Sequence, residues 1–180
     1  MKRLSLVLLL ALALGCEQAR EEDELLGPAI AVADKEWGGY LLEFGSPLAL
    51  PRLGEDGWSH GETADDGNTF RWAVEEEVSL TLPSDREGPK LAFLECEPFQ
   101  FEGSPTQWIA VTLNGEALTE VELRPGRDRY PIELPLVAGD NRLDLRFRYA
   151  GDPNRASADR RRLAVKFFRL HILPDGEGPV

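Results

Sequence analysis

Residues 57–74 hold the side chains of this 180-residue sequence that are best suited to chemistry, and they read GWSHGETADDGNTFRWAV. Trp58 and Trp72 flank an acidic turn, with Glu62 and Arg71 close to them in the sequence. An exposed aromatic ring can stack on the C–H face of a sugar, while carboxylate and guanidinium groups hydrogen-bond sugar hydroxyls. Trp58, Glu62, Arg71 and Trp72 are therefore candidate ligand-binding residues. The alternative is that these large aromatic side chains are core residues.

The turn inside this segment offers oxygen atoms to a cation. Asp65, Asp66 and Asn68 supply three oxygen-bearing side chains, and calcium binds oxygen ligands from such loops. However, the ligand spacing of an EF-hand is missing, and Asp-Gly-Asn is equally typical of a hairpin turn. The three residues are thus a calcium candidate, although we expect a turn that holds no metal ion.

No catalytic signature accompanies these residues. Phosphate-binding loops, nucleophile elbows and metal-ligand spacings are absent from the sequence. Ser59 and His60 are adjacent, so on a strand they would point to opposite faces and could not act as a pair. With 32 acidic residues, a facing pair of carboxylates can always be imagined and indicates nothing. We expect no catalytic residue and no cofactor, and a carboxylate-based hydrolase ranks last.

Cys96 and its acidic neighbours lie in a segment that is typical of a strand, KLAFLECEPF. We expect Cys96 to be buried and unreactive, because nothing local would activate the thiol. Glu95 and Glu97 share the alternation of Leu91 and Phe93. The simpler interpretation is that the strand leaves the core before Pro98, and the alternative is an acidic ligand site at the rim.

The elements that must position these residues have the pattern of β-strands. Apolar and polar residues alternate from Val78 to Leu82, from Ile109 to Leu113 and from Leu143 to Tyr149. Asn114-Gly115 predicts a tight hairpin turn. In the last strand the apolar alternation changes phase at Phe167-Phe168, which predicts a β-bulge or a crossing between sheets. About nine strands and no helical period predict an all-β fold, an antiparallel, jelly-roll-like β-sandwich.

The N-terminus has the features of a processing segment. A basic start and an apolar run make residues 1–15 a signal peptide, since the run is shorter than a membrane-spanning helix requires. Its end, Ala13-Leu14-Gly15-Cys16, resembles the lipobox of bacterial lipoproteins, which implies that Cys16 is lipidated. We expect a tether over residues 16–36, the sandwich over 37–173 and a disordered tail over 174–180.

The charge balance restricts the partners. The net charge is −12 at pH 7, and loss of Lys2 and Arg3 with the signal peptide would make it more negative. Nucleic acid is excluded as a partner, because phosphates require basic surfaces. Contact with the membrane would therefore depend on the lipid anchor. By analogy with lipoproteins, Glu17 in place of Asp after the cysteine favours the outer membrane of a cell envelope.

A wider resemblance covers residues 37–173. The succession GWS, FRW, QWIAVTLNG, YPIELP, GDNRLDLRFRY and RRLAV is similar to a β-sandwich module of bacterial envelope proteins. Such modules resemble galactose-binding-like jelly rolls and occur beside sulfatase-like and polysaccharide-related catalytic domains. The resemblance implies a non-enzymatic module that binds a glycan or assists an envelope enzyme. The alternative is a structural or assembly lipoprotein that engages a protein partner.

Overall fold

The computed structural model describes residues 39–151 and 161–174. These ranges contain ten strands and one 3₁₀ helix, Pro47–Arg52. The strands are β1 Tyr40–Glu43, β2 Glu62–Thr63, β3 Thr69–Ala73, β4 Glu77–Ser84, β5 Gly88–Pro98, β6 Trp108–Leu113, β7 Glu116–Glu122, β8 Asp128–Leu136, β9 Gly139–Phe147 and β10 Val165–Ile172. Within the described ranges, no helix is long and apolar enough to cross a membrane. The predicted signal peptide, Cys16, the tether and the tail lie outside them.

The strands form two antiparallel sheets. One sheet has six strands in the order β2-β3-β10-β5-β8, with β1 also paired to β10. β3 and β1 share one edge of β10: β3 pairs with Val165–Phe167, and β1 pairs with Arg169–Ile172. The second sheet has four strands in the order β4-β9-β6-β7. The predicted antiparallel β-sandwich is confirmed, with ten strands rather than about nine.

The core lies between the two sheets and follows the alternation of each strand. In β9, Leu143, Leu145 and Phe147 are buried, whereas Arg142 and Arg146 are exposed, as the sequence predicts. Burying one such apolar side chain contributes about 1.5–3 kcal/mol. β5 points Ala92, Leu94 and Cys96 inward along its whole length. The inference that β5 leaves the core before Pro98 is therefore wrong, and Glu95 and Glu97 lie on the outer face of the sheet.

Two local features predicted from the sequence are confirmed. Asn114 and Gly115 adopt φ angles of 51° and 87° in the turn between β6 and β7, a backbone region that favours Asn and Gly. The pairing of β10 with β5 shifts between Phe167 and Arg169, so that Phe168 is the extra residue of a β-bulge. Phe167 contacts Phe44 inside the core, while the ring of Phe168 lies on the outer face beside Phe70.

Asn141 joins the turns at one end of the sandwich. Its side chain is 0% exposed. Its amide nitrogen donates to the carbonyl oxygens of Leu82, Val137 and Gly139 at 3.2, 2.8 and 3.2 Å. Its amide oxygen accepts from the Val137 backbone at 2.8 Å and from Asn114 at 3.0 Å. A buried amide with this many partners fixes the path of the chain, because any other side chain leaves backbone groups without partners.

We predict that Asn141→Ala lowers the free energy of unfolding by about 2–4 kcal/mol, since several buried backbone groups lose their partner. Urea denaturation measures the change. Asp140→Ala, at the exposed neighbouring position, is the matched control and should cost less than about 0.5 kcal/mol. Equal stability of the two variants would contradict this role for Asn141.

Candidate functional site

A chain of aromatic rings runs from the outer face of the six-stranded sheet to the segments that follow β5 and β9, and we call it the aromatic strip. Neighbouring rings lie 5.8–6.4 Å apart between centroids. In spatial order the strip consists of Phe70, Trp72, Phe99, Phe101 and Tyr149. Phe70 is buried, Trp72, Phe99 and Tyr149 are half-buried, and Phe101 is 41% exposed. The strip therefore presents ring surface to solvent from Trp72 onward.

The strands place these rings through side-chain alternation. Trp72 points outward because Ala73, next to it, is buried in the core. Phe99 continues the outward set of Glu95 and Glu97 beyond the end of β5, and its N–H donates to the carbonyl oxygen of Ala164 at 3.0 Å. Tyr149 Oη donates to the carbonyl oxygen of Phe99 at 2.8 Å. Together these contacts fix the rings in the middle of the strip.

A glycine leaves room for the exposed end of the strip. A Cβ at Gly151 would lie 2.7 Å from Phe101 Cε1 and 3.1 Å from Phe99 Cδ1. Any other residue at this position would push the two rings away. The absence of a side chain at Gly151 thus sets how closely Phe101 packs against the backbone.

Charged side chains run along the strip. Lys166 lies between Trp72 on β3 and Glu97 on β5, its direct neighbours across the sheet. Its Nζ is 3.1 Å from a Glu97 carboxylate oxygen and 5.1 Å from the centroid of Trp72. Glu62, which pairs across strands with Phe70, is 2.6 Å from Arg161. Carboxylates and cations beside aromatic rings form a surface that can stack on and hydrogen-bond a polar ligand.

Trp58 lies on the opposite side of the sheet from Trp72. It is opposite Ala73 in a single β-bridge, so its ring points into the sandwich. The ring stacks on Phe44 at 5.3 Å and meets Phe167 at 5.4 Å, and its Nε1 donates to the carbonyl oxygen of Ser79 at 3.1 Å. Trp58 is therefore a packing residue, and the candidate site drawn from the sequence is corrected at this position.

Arg71 is likewise structural. It is 6% exposed, and it donates hydrogen bonds to the carbonyl oxygens of Phe44 and Ser59. Burial lowers the pKa of its guanidinium group. Of the four candidates, the structure brings Glu62 and Trp72 to the outer face and turns Trp58 and Arg71 inward. The reason is strand alternation, since Arg71 and Trp72 are adjacent on one strand.

The acidic turn has two arginines as partners. Asp66 accepts from the N–H of Asn68 at 3.0 Å and pairs with Arg127 at 3.0 Å. The side-chain oxygen of Asn68 accepts from Arg169 at 2.8 Å, and Asp65 is exposed. Where residues are described, no group of three His, Cys, Asp or Glu side chains could hold a metal. Arg127 and Arg169 thus occupy oxygens of Asp66 and Asn68, and the calcium hypothesis for Asp65, Asp66 and Asn68 stays a prediction in which calcium would compete with these arginines.

Arg127 fixes this turn against the sheet. Its guanidinium carbon lies 3.9 Å from the centroid of Phe168, and it pairs with Glu95 as well as with Asp66. A cation over an aromatic ring contributes about 0.5–2 kcal/mol. Glu95 is therefore the partner of a structural arginine and not part of a free acidic ligand site.

Within residues 39–151 and 161–174, Cys96, Ser59 and His60 form no catalytic arrangement. Cys96 is buried, as expected, and burial raises the pKa of its thiol. The Ser59 hydroxyl donates to the carbonyl oxygen of His60, and the His60 side chain is exposed. A groove of about 540 Å³ beside β4 has no aromatic ring in its lining, and its carboxylates are Glu55, Asp56 and Glu77. The aromatic strip is thus the better candidate site.

Several residues of the site were missed from the sequence. Phe99 and Phe101, Tyr149 and Lys166 come from three segments that are far from Trp72 and from one another in the chain. The sequence held one indication of the site: Phe99 and Phe101 continue, beyond Pro98, the alternation of Glu95 and Glu97, so they are expected on the same face of the strand. Nothing local indicates that these rings meet β3.

Comparison with known proteins gives a likeness in fold. No protein-family model and no curated protein matches the sequence. The β-(1,4)-mannanase GH26-CBM35 of Podospora anserina aligns with a TM-score of 0.52 and 16% identity over 78% of this chain. This chain spans 28% of the length of that mannanase.

Two isolated modules align over nearly their full length. A family 35 carbohydrate-binding module from Clostridium thermocellum gives a TM-score of 0.51 at 11% identity, over 74% of this chain and 97% of the module. A family 35 module from an environmental isolate gives 0.50 at 13% identity, over 78% and 97%. The described chain thus has the β-sandwich fold of these modules.

The contacts of Asp66 in the turn between β2 and β3 make the stability of the fold depend on pH. The N–H of Asn68 first, and the Asn68 side chain and Arg127 after it, hold the pKa of Asp66 below its usual value. A lowered pKa in the folded state means that the ionised group stabilises the fold above the unfolded pKa of about 3.9. The stabilisation is lost as the pH falls through the folded value.

We therefore predict that Asp66→Asn lowers the urea midpoint at pH 6 and that its difference from the wild type shrinks toward zero near about pH 2. Asp65→Asn removes the neighbouring exposed carboxylate and is the matched control. If the Asp66→Asn difference is the same at both pH values, ionised Asp66 does not hold the turn.

Proposed function

We propose that this β-sandwich is a non-enzymatic module that binds a glycan along the aromatic strip. The observation that carries the proposal is the contiguous set of partly exposed aromatic residues Trp72, Phe99, Phe101 and Tyr149. Sugar rings present C–H faces that stack on aromatic rings and hydroxyls that require hydrogen-bond partners. Glu62 and Glu97 stand beside the rings as acceptors for such hydroxyls.

The orientation of the rings favours a single glycan chain over a flat crystalline surface. Trp72 and Phe99 are inclined at 82°, Phe99 and Phe101 at 37°, and Phe101 and Tyr149 at 83°. A crystalline surface needs coplanar rings in order to contact all of them at once. Rings at these angles instead suit a flexible chain that bends from one ring to the next.

The fold supports the same function by analogy. The family 35 modules, which share this fold, are described as carbohydrate-binding. The sequence resemblance to modules beside polysaccharide-related domains agrees with this description. In this proposal the sandwich serves a separate envelope enzyme by keeping it close to its glycan, or holds the glycan at the cell surface on its own.

The first test is glycan binding measured by calorimetric titration of the full chain. We predict that Trp72→Ala lowers affinity at least about tenfold, the loss expected when one aromatic platform of roughly 1.4 kcal/mol is removed. Trp58→Ala is the matched control: it should reduce the free energy of unfolding by about 2–4 kcal/mol through lost packing. At temperatures where it stays folded, its affinity should be close to that of the wild type.

Gly151→Ala is a second probe, because it should move Phe101 and Phe99 without deleting either ring. A lower affinity with a nearly unchanged melting temperature would support the strip. The proposal is wrong if glycans bind and neither Trp72→Ala nor Gly151→Ala alters affinity. If no glycan binds, the structural or assembly alternative takes its place, with a protein partner on this or another face.

We further propose that the module is attached to the cell envelope through lipid on Cys16, with the outer membrane favoured. The support is the sequence Ala13-Leu14-Gly15-Cys16 behind an apolar run. We predict that the wild type, expressed in a bacterium that processes lipoproteins, enters the detergent phase and incorporates labelled palmitate. Cys16→Ser should do neither. Equal behaviour of the two proteins would contradict the anchor.

A further inference from the structure

Among the described residues, two cations beside the aromatic strip, Lys166 and Arg161, are paired with carboxylates, and this pairing affects which glycans the strip can hold. This inference rests on the proposed function. Lys166 Nζ is 3.1 Å from Glu97, with side-chain exposures of 19% and 33%. Arg161 is 2.6 Å from Glu62, with exposures of 31% and 23%. Each pair is thus partly shielded from water and neutral as a unit.

The rings hold Lys166 in this position. Its Nζ lies 5.0, 5.1 and 5.8 Å from the centroids of Phe70, Trp72 and Phe168. A carboxylate or sulfate on a glycan that approaches Lys166 must either share the ammonium group with Glu97 or replace Glu97. Sharing brings two anions side by side, where they repel each other, and replacement leaves the partly desolvated Glu97 without its cation, so each route costs part of what the new contact contributes.

Sugar hydroxyl groups can bind beside these ion pairs without breaking them. An ionised carboxylate has about four lone-pair positions, and one salt bridge leaves some of them free. Glu97 and Glu62 can therefore accept hydrogen bonds from sugar hydroxyls while they remain paired with Lys166 and Arg161. The edge of the strip accepts hydroxyl donors and offers no unpaired cation among these residues.

The charge of the whole chain acts in the same direction. A net charge of −12 repels a polyanion at long range in dilute salt. This effect is screened at high ionic strength, whereas the local ion pairs are screened much less. The two effects can therefore be separated by salt.

We propose that the strip selects uncharged glycans and discriminates against uronate-containing and sulfated ones, and that the Lys166–Glu97 pair is the main determinant. Breaking that pair while keeping Lys166 should create an anion-binding position. Glu97→Gln does this, because the amide is similar in shape to the carboxylate but carries no charge. The expected gain of anion binding in Glu97→Gln can therefore be measured.

The experiment titrates the full chain with a neutral soluble β-glucan, galactomannan, polygalacturonate and a sulfated galactan at about 0.05 M and 0.5 M salt. The wild type should bind a neutral polymer at least about tenfold more tightly than either anionic one, and this preference should persist at high salt. Glu97→Gln should raise the ratio of anionic to neutral affinity about fivefold. Glu120→Gln makes the same charge change at an exposed position on β7 and should leave the ratio unchanged.

The outcomes separate the two proposals. Wild-type binding of an anionic polymer as tight as that of the neutral ones overturns the selectivity and leaves glycan binding standing. A ratio that moves equally in Glu97→Gln and Glu120→Gln overturns the role of the Lys166–Glu97 pair. Binding of none of the four polymers overturns the proposed function and this inference with it.

Discussion

The single extra residue in β10 is the constraint on which the rest of the molecule depends. β10 is paired along one edge with β3 and β1 and along the other with β5. Adjacent residues of a regular strand already point to opposite faces; the bulge instead lets Val165 and Phe167 before it and Leu170 and Ile172 after it all enter the core. With it, Phe167 enters the core beside Phe44 and Trp58, and Phe168 supports the outer face beneath Arg127.

The two faces of the six-stranded sheet consequently have separate tasks. The side chains on the inner face pack in the core and stabilise the fold. Trp58 is one of them, because its ring stacks on Phe44 and its indole N–H donates a hydrogen bond to Ser79. The outer face carries the aromatic strip, and its charged residues are fixed in pairs. Arg127 ties the turn between β2 and β3 to Glu95, and Lys166 ties Trp72 to Glu97. A rigid set of rings loses little conformational freedom when a ligand binds, which favours affinity.

The sequence could predict what depends on local pattern. The alternation of apolar and polar residues predicted the β-sandwich, and Asn114-Gly115 predicted the hairpin turn. The phase change at Phe167-Phe168 predicted the β-bulge. The sequence pattern could not predict on which face of the sheet each tryptophan side chain lies. Trp58 and Trp72 flank one turn, yet Trp58 aligns with Ala73, and that register is fixed by contacts with Phe44 and Phe167 from distant strands. The strip itself is assembled from β3 and the segments that follow β5 and β9, so no local pattern encodes it.

Binding at the aromatic strip can be tested by following the tryptophan indole N–H signals in nuclear magnetic resonance spectra during titration with a neutral soluble glycan. The Trp72 signal should shift with saturation. The Trp58 signal, whose N–H donates to Ser79 inside the sandwich, should stay in place. A saturable shift of Trp58 with Trp72 unchanged, or saturable binding with neither signal moved, would contradict the claim that the aromatic strip is the binding surface.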